Sequence, residues 1–308
     1  MSGLLLHTAE HTAEGFRHLV GEAALDGLKD GLWSIPILFI AYLLMELLER
    51  SQRFNEGILR GYSRKAGPAL GGLLGIVPQC GISGAAATLF STGSITVGTM
   101  LAVFFATSDE MLPIMLSSLT EQSALSVRGI ALIVLSKAAL GIFLGYLADL
   151  LLHRRLRGQK DIHSFCEREH CSCDEEEGNV FLSALKHTLK IAIMLIAVNF
   201  ALNLLFTFIG VERLSGTILS RPVIGELIVA LFGLIPNCSV SVVITQSYLS
   251  GVLGLGSLFA GLLSNAGIGL LVLLRTNKNH KENAIIIGTL YVLSVLAGIA
   301  VHLISTLL

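Results

Sequence analysis

The chain has 308 residues, of which 53% are hydrophobic and only 14% are charged, and its formal net charge is −1. Soluble globular domains average about 25% charged residues, so this composition excludes an ordinary soluble protein. The balanced charge also provides no basic surface for nucleic acid, which excludes a nucleic-acid-binding class. The composition therefore indicates a membrane protein.

Eight apolar segments follow a polar amino-terminal stretch. They comprise residues 32–48, 68–90, 95–119, 130–152, 182–209, 223–249, 253–274 and 284–308. A helix needs roughly 20 apolar residues to cross the hydrocarbon core of a bilayer, and most of these segments supply that number. A β-barrel would show short alternating segments instead. The pattern predicts an all-α, polytopic protein of about eight to ten membrane elements in the lipid bilayer. The default location is the plasma membrane, which is the inner membrane in a bacterium.

Residues 1–29 are polar and mixed in charge, and they have neither the basic start nor the apolar centre of a signal peptide. We expect them to form an amphipathic segment on the membrane surface. The stretch after the first apolar segment is strongly basic, which predicts a cytoplasmic loop. Its basic residues are Arg50, Arg53, Arg60, Arg64 and Lys65.

Two similar motifs divide the chain into halves. GIVPQCGIS occupies residues 75–83 and GLIPNCSVS occupies residues 233–241, an offset of 158 residues. The offset predicts two homologous membrane repeats, residues 30–152 and 181–308, here called the first and second halves, with residues 153–180 as the loop between them. Secondary transporters are often built from such repeats, with broken helices meeting near mid-membrane. Inverted and parallel arrangements both remain open.

Each motif places a proline inside an apolar segment. Pro78 and Pro236 lack the backbone N–H that a helix requires, so we expect them to break their helices. In lipid, the freed carbonyl groups are costly unless protein, water or a ligand satisfies them. Small polar residues beside the prolines predict a substrate site, although a simple kink between packed helices is the alternative. These residues are Gln79 and Asn237, Cys80 and Cys238, and Ser83 and Ser241.

A second polar interruption follows in the first half. Thr107, Ser108, Asp109 and Glu110 lie between apolar stretches. We align them with residues 264–267, which include Asn265 and carry no charge. Acids within the membrane normally face a cavity and mark ion or proton pathways, so this asymmetry favours a cation. The alternative is a buried ion pair between one acid and Lys137. Glu46 is a further candidate, as a ligand or as an interfacial residue.

The loop between the halves contains closely spaced thiols and imidazoles. Such groups predict a soft-metal chelate, such as a zinc site, although a polar linker without metal is equally consistent with the spacing. The residues concerned are His163, Cys166, His170, Cys171 and Cys173.

The motifs together carry a resemblance to a known family. The paired P-Q-C-G and P-N-C-S breaks, the A-T-S-D-E and S-N-A-G runs and the Y-L-L-M-E-L-L-E segment resemble the ten-helix heavy-metal exporter family. Members of that family are labelled manganese transporters or arsenic efflux proteins. The resemblance implies export of a metal or metalloid by a protein with about ten membrane elements. A helix that crosses the bilayer has roughly 20 residues.

The expected function is therefore secondary-active export of a divalent heavy-metal cation such as Mn²⁺, coupled to proton antiport. No Walker A motif is present, so ATP is not the expected energy source, and we expect neither enzymatic activity nor a resident cofactor. One alternative is an arsenite or metalloid permease that uses Cys80 and Cys238. A membrane thiol oxidoreductase and a passive channel are further alternatives. The oligomeric state stays open.

Overall fold

The computed structural model describes residues 39, 56–77, 80–107, 111–118, 126–152, 185, 189, 193 and 223–307. In these residues the chain is helical and contains no strand. Several predicted features lie outside the described residues, namely the amino-terminal segment, the loop between the halves with its five metal candidates, Glu46, Pro78, Gln79, Ser108, Asp109 and Glu110.

The described part of the chain contains ten helical stretches longer than one turn. In chain order they are α1 Glu56–Gly75, α2 Cys80–Ser91, α3 Val97–Ala106, α4 Met111–Ser118, α5 Val127–Leu152, α6 Ile224–Gly233, α7 Cys238–Leu249, α8 Leu255–Ser264, α9 Ile268–Thr276 and α10 His280–Leu307.

Four stretches in the described residues are long and apolar enough to cross a bilayer. Two are the continuous helices α5 and α10. The other two, Val97–Ser118 and Leu255–Thr276, each combine two consecutive helices, α3 with α4 and α8 with α9. The prediction of an all-helical membrane protein is confirmed at this level, whereas the identity of the membrane stays a prediction.

Part of the predicted basic loop is helical. Arg60, Arg64 and Lys65 lie in α1, which begins at Glu56, whereas the cytoplasmic side of this stretch stays a prediction. Arginine and lysine have helix propensities close to that of alanine, so a basic stretch can form a helix. Pro68 lies inside α1, which continues to Gly75.

Two buried helices organise the packing. All ten residues of α3 are buried, and it packs against α1 and α5. In the second half, α8 is buried at every residue after Leu255 and packs against α6 and α10. The described chain thus contains two three-helix groups, α1/α3/α5 and α6/α8/α10, each centred on a short apolar helix.

Glycines let the buried helices approach their long neighbours closely. A Cβ atom added to Gly145 of α5 would lie 2.7 Å from the Gly98 carbonyl oxygen of α3. The same distance, 2.7 Å, separates a Cβ added to Gly298 of α10 from the Gly256 carbonyl oxygen of α8. Small residues at helix crossings permit backbone contact of this kind in membrane bundles.

The short helices of one half pack against the short helices of the other. The α2 helix contacts α9, and α4 contacts α7. A Cβ added to Gly269 in α9 would lie 2.8 Å from Ser83 Cβ in α2 and 2.7 Å from Phe104 Cε1. Farther along the same crossing, the Ser91 and Thr276 hydroxyl oxygens are 2.7 Å apart and hydrogen-bonded. The crosswise contacts therefore join the two halves.

Candidate functional site

Four residues separate α6 from α7, and they include Pro236. The turn tightens at the end of α6, where the Leu234 N–H donates to the Leu231 carbonyl and the Ile235 N–H donates to the Phe232 carbonyl. Asn237 then lies immediately before α7 and is only 1% exposed. The predicted candidate Asn237 therefore occupies a buried position at the junction of the two helices.

The corresponding junction in the first half is described up to Val77. The Ile76 N–H donates to the Leu73 carbonyl, and the Val77 N–H donates to the Leu74 carbonyl, each at 3.2 Å. These bonds span three residues, as do those that end α6. After residues 78 and 79, which lie outside the described range, α2 begins at Cys80. Cys80 and Cys238 are thus the first residues of α2 and α7.

Ser83 and Ser241 lie one turn into α2 and α7 and are both buried, at 0% and 4% exposure. Ser83 is at the crossing with α9, beneath Gly269. Both serines have interaction partners within the structure. Their burial agrees with a position inside the bundle and not on its lipid-facing surface.

The break between α8 and α9 is closed by a side chain. The Asn265 N–H donates to the Gly261 carbonyl, which ends α8, and Asn265 Oδ1 accepts a 3.0 Å hydrogen bond from the Gly267 N–H. Gly267 has a φ of 52°, in the left-handed region that favours glycine. Asparagine commonly organises turns in this way. Asn265, predicted as a ligand, thus has a structural role in forming the break.

The end of α3 contains a buried cation. Thr107 ends the helix, with its N–H and its hydroxyl both donating to the Val103 carbonyl at 2.9 and 2.7 Å. The Lys137 ammonium of α5 donates to the Thr107 carbonyl, and Lys137 is 1% exposed. The ammonium therefore reaches the residue that directly precedes Ser108, Asp109 and Glu110. An ion pair between Lys137 and either acid stays a prediction.

Two carboxylate sites at the ends of the buried helices were missed by sequence reasoning. Asp149 of α5 accepts hydrogen bonds from the Thr96 hydroxyl and the Gly98 N–H, which lie at the start of α3. Glu226 of α6 lies near the start of α8, 3.5 Å from His302. The sequence did contain a signal for both sites, because each acid is an ionisable residue within an apolar segment. Such residues usually have a functional role in membrane proteins.

Among residues that the structure describes, no group of three or more His, Cys, Asp or Glu side chains could hold a metal ion.

The comparisons with known proteins give no relative. No family model matches the chain, and neither a curated protein nor a solved structure matches it. The functional interpretation therefore depends on the chemistry and geometry of this chain.

Proposed function

We propose that this protein is a secondary-active membrane transporter that exports a divalent heavy-metal cation such as Mn²⁺ in exchange for protons. The observation that carries the proposal is the interruption of two apolar spans, Val97–Ser118 and Leu255–Thr276, near their midpoints. Each span must cross about 30 Å of hydrocarbon, where an interrupted helix exposes costly backbone groups. Broken helices of this kind hold the substrate in many transporters.

An internal repeat is part of the proposal. The α2 and α7 helices cover residues 80–91 and 238–249, and α3 and α8 cover residues 97–106 and 255–264, so all four pairs of bounds differ by 158. The glycine contacts of α3 with α5 and of α8 with α10 also correspond. We attribute the junctions before α2 and α7 to Pro78 and Pro236, which deprive each helix of a backbone donor.

The crosswise contacts support a position for the cargo within this repeat. Ser83 lies beside Gly269 near the start of α9, and α7 contacts α4. We infer by analogy that Ser241 lies near the start of α4. The residues directly before α4 are Asp109 and Glu110. The proposed cargo site is therefore formed by these two acids and by the first turn of α7, which contains Cys238 and Ser241.

The helix ends also refine the alignment of the halves. Thr107 and Asn265 both follow a buried helix directly and differ by 158 residues, so they correspond to each other at the offset of the two motifs. The alignment of Thr107 with Ser264 was therefore one residue off. Thr107 precedes two acids, whereas Asn265 precedes Ala266 and Gly267. Only the first-half interruption therefore provides carboxylates.

The charges favour a cation over a neutral metalloid. Two adjacent acids carry two negative charges, and Lys137 supplies a single positive charge at the end of α3. One negative charge then remains to be balanced, and an uncompensated charge within an apolar span is costly. Carboxylate, hydroxyl and amide oxygens suit harder divalent ions such as Mn²⁺, while thiols suit softer ones. The family resemblance supports the same class of cargo.

The test is Mn²⁺ uptake into proteoliposomes with a proton gradient. Asp109→Asn is expected to lower uptake at least about tenfold, because it removes a charged ligand, and even indirect ligand changes weaken metal sites by this factor. Cys80→Ser is expected to have little effect. Asp149→Asn is the matched control, because Asp149 is a first-half acid whose oxygens are bonded to the start of α3.

Other results would favour the alternatives. Loss of transport in Cys80→Ser together with normal transport in Asp109→Asn would favour a metalloid permease. Flux that never saturates and persists without a proton gradient would indicate a channel. A disulfide between Cys80 and Cys238 that cycles with quinone would indicate a thiol oxidoreductase.

A further inference from the structure

The starts of α3 and α8 have the same surroundings but different chemistry. At α3, both carboxylate oxygens of Asp149 accept hydrogen bonds: Oδ1 from the Gly98 N–H and Oδ2 from the Thr96 hydroxyl, each at 2.7 Å. A carboxylate at a helix amino terminus is stabilised by exposed N–H groups and by the helix dipole. Asp149 therefore forms a complete structural cap.

At α8 the cap is replaced by an acid and an imidazole. Gly254 precedes the helix and provides no side-chain cap. A Cβ added to Gly256 would lie 2.9 Å from Glu226 Oε1 and 2.6 Å from His302 Cβ, so both side chains reach the first turn of α8. Glu226 Oε1 is 3.5 Å from His302 Nδ1.

The buried acid is incompletely bonded. The Glu226 side chain is 2% exposed, and within the described residues its Oε2 atom has no hydrogen-bond partner. The His302 side chain is 30% exposed and therefore accessible from outside the bundle. Burial of a charged carboxylate without full hydrogen bonding is costly, and a positive charge on the neighbouring imidazole would offset part of that cost.

We propose that Glu226 and His302 form the binding site for the proton that this transporter exchanges for its cargo. The inference depends on the proposed transport function. A proton enters through the exposed imidazole of His302 and balances the buried carboxylate of Glu226. When the proton leaves, the carboxylate at the contact of α6, α8 and α10 is left uncompensated, which weakens this contact.

The position of the pair links it to both interruptions of the second half. Glu226 belongs to α6, which ends at the junction containing Asn237, and its carboxylate lies at the start of α8, which ends at Asn265. A change in the packing of α6 against α8 therefore acts on both interruptions of the second half, and the first of these directly precedes α7. Each helix is only ten residues long, so a shift at one end is transmitted to the other.

The described neighbours contain no other charged group facing Glu226. The α8 helix has no titratable side chain, and α7 contributes Tyr248, which packs against the hydrophobic core. The α10 helix contributes His302, and its Tyr291 hydroxyl donates to the Leu227 carbonyl. With only two candidate ligands, the pair falls short of the three or more that a protein metal site normally uses. The proton is therefore the ligand that fits.

The experiment measures Mn²⁺ flux in proteoliposomes as a function of pH, for wild type, Glu226→Gln and His302→Lys. Uphill flux is transport against the Mn²⁺ concentration gradient, and downhill flux is transport along it. In wild type we expect uphill accumulation to change with pH. Glu226→Gln should lose uphill accumulation but keep downhill flux, because none of the proposed cargo ligands is changed. His302→Lys keeps a positive charge at this position and should abolish the pH dependence. Asp149→Asn should retain the wild-type pH profile.

A second measurement tests the proton site independently of the proposed Mn²⁺ transport. Infrared difference spectra of the purified protein after a pH jump should contain imidazole bands that change in Glu226→Gln, whether or not Mn²⁺ is transported. Unchanged imidazole bands, or a wild-type pH profile in both variants, would overturn the proton site. Altered bands without any Mn²⁺ flux would retain the proton site and overturn the cargo.

Discussion

Lys137→Met is expected to destabilise the metal-free protein by about 1.5–3 kcal/mol, because it removes the charged donor of a buried hydrogen bond and leaves the acceptor without it. Lys137 is 1% exposed, and its ammonium donates to the carbonyl of Thr107 at the end of α3. Methionine preserves most of the volume but removes the charge and the donor. The Thr107 carbonyl then loses this bond at a buried position.

Leu290→Met is the matched control, because Leu290 is fully buried in α10, which is a long continuous apolar helix like α5. A substitution that conserves volume usually costs less than about 1.5 kcal/mol. Thermal unfolding in detergent, with and without Mn²⁺, measures both variants. Mn²⁺ should restore part of the stability in Lys137→Met, because a bound ion stabilises the folded state and here replaces the missing charge. Equal destabilisation of the two variants, with no effect of Mn²⁺, would refute the electrostatic role of Lys137.

Gly233→Ala is the second substitution with a large expected effect, about 2–3 kcal/mol of destabilisation, at the upper end of typical overpacking costs. A Cβ at this position would overlap the Ser264 hydroxyl oxygen and the Gly261 carbonyl oxygen of α8. The hydroxyl already donates to the Ala230 and Gly261 carbonyls at 2.8 and 2.9 Å, and the carbonyl belongs to the backbone, so neither can move freely. Relief requires α6 to move away from α8.

Gly288→Ala provides the comparison within the same half. Gly288 lies in α10, and a Cβ added there has no neighbour within 4 Å. Alanine should stabilise that helix by up to about 1 kcal/mol through helix propensity. The two variants should therefore shift the unfolding temperature in opposite directions. A similar unfolding temperature for both would mean that α6 and α8 do not pack as closely as described.

The fold class could be predicted because composition and the length of the apolar segments are nearly sufficient to identify a helical membrane protein. Continuous spans such as α5 and α10 are set by about 20 or more apolar residues, which are visible without coordinates. The start of α1 could not be predicted in this way, because basic residues such as Arg60 are compatible with either a helix or a loop. Its extension depends on packing that a local pattern does not contain.

The site could be predicted in part, because intramembrane polar residues are rare and conspicuous. Asn237, Ser83 and Ser241 were all selected from sequence, and all three are buried. The closing hydrogen bond from Gly267 to Asn265 was not anticipated, since it depends on the left-handed backbone at Gly267.

The sequence pattern could not predict contacts between residues that are far apart in the sequence. Glu226 and His302 are far apart in the sequence, and α6 and α10 must pack together before the two side chains approach. The contact of Lys137 with the Thr107 carbonyl has the same origin, because it depends on how α5 packs against α3. Such pairs arise from tertiary packing, and residue spacing alone does not specify them.

Equilibrium binding of Mn²⁺ to the purified protein, measured by titration calorimetry, tests the central claim most directly. The account predicts a saturable site whose affinity falls at least about tenfold in Asp109→Asn, the loss typical of a damaged metal site. Asp149→Asn should bind like wild type, because its carboxylate caps α3. Wild-type protein that binds no Mn²⁺, or equal affinity in wild type and Asp109→Asn, would contradict a cation site at this interruption.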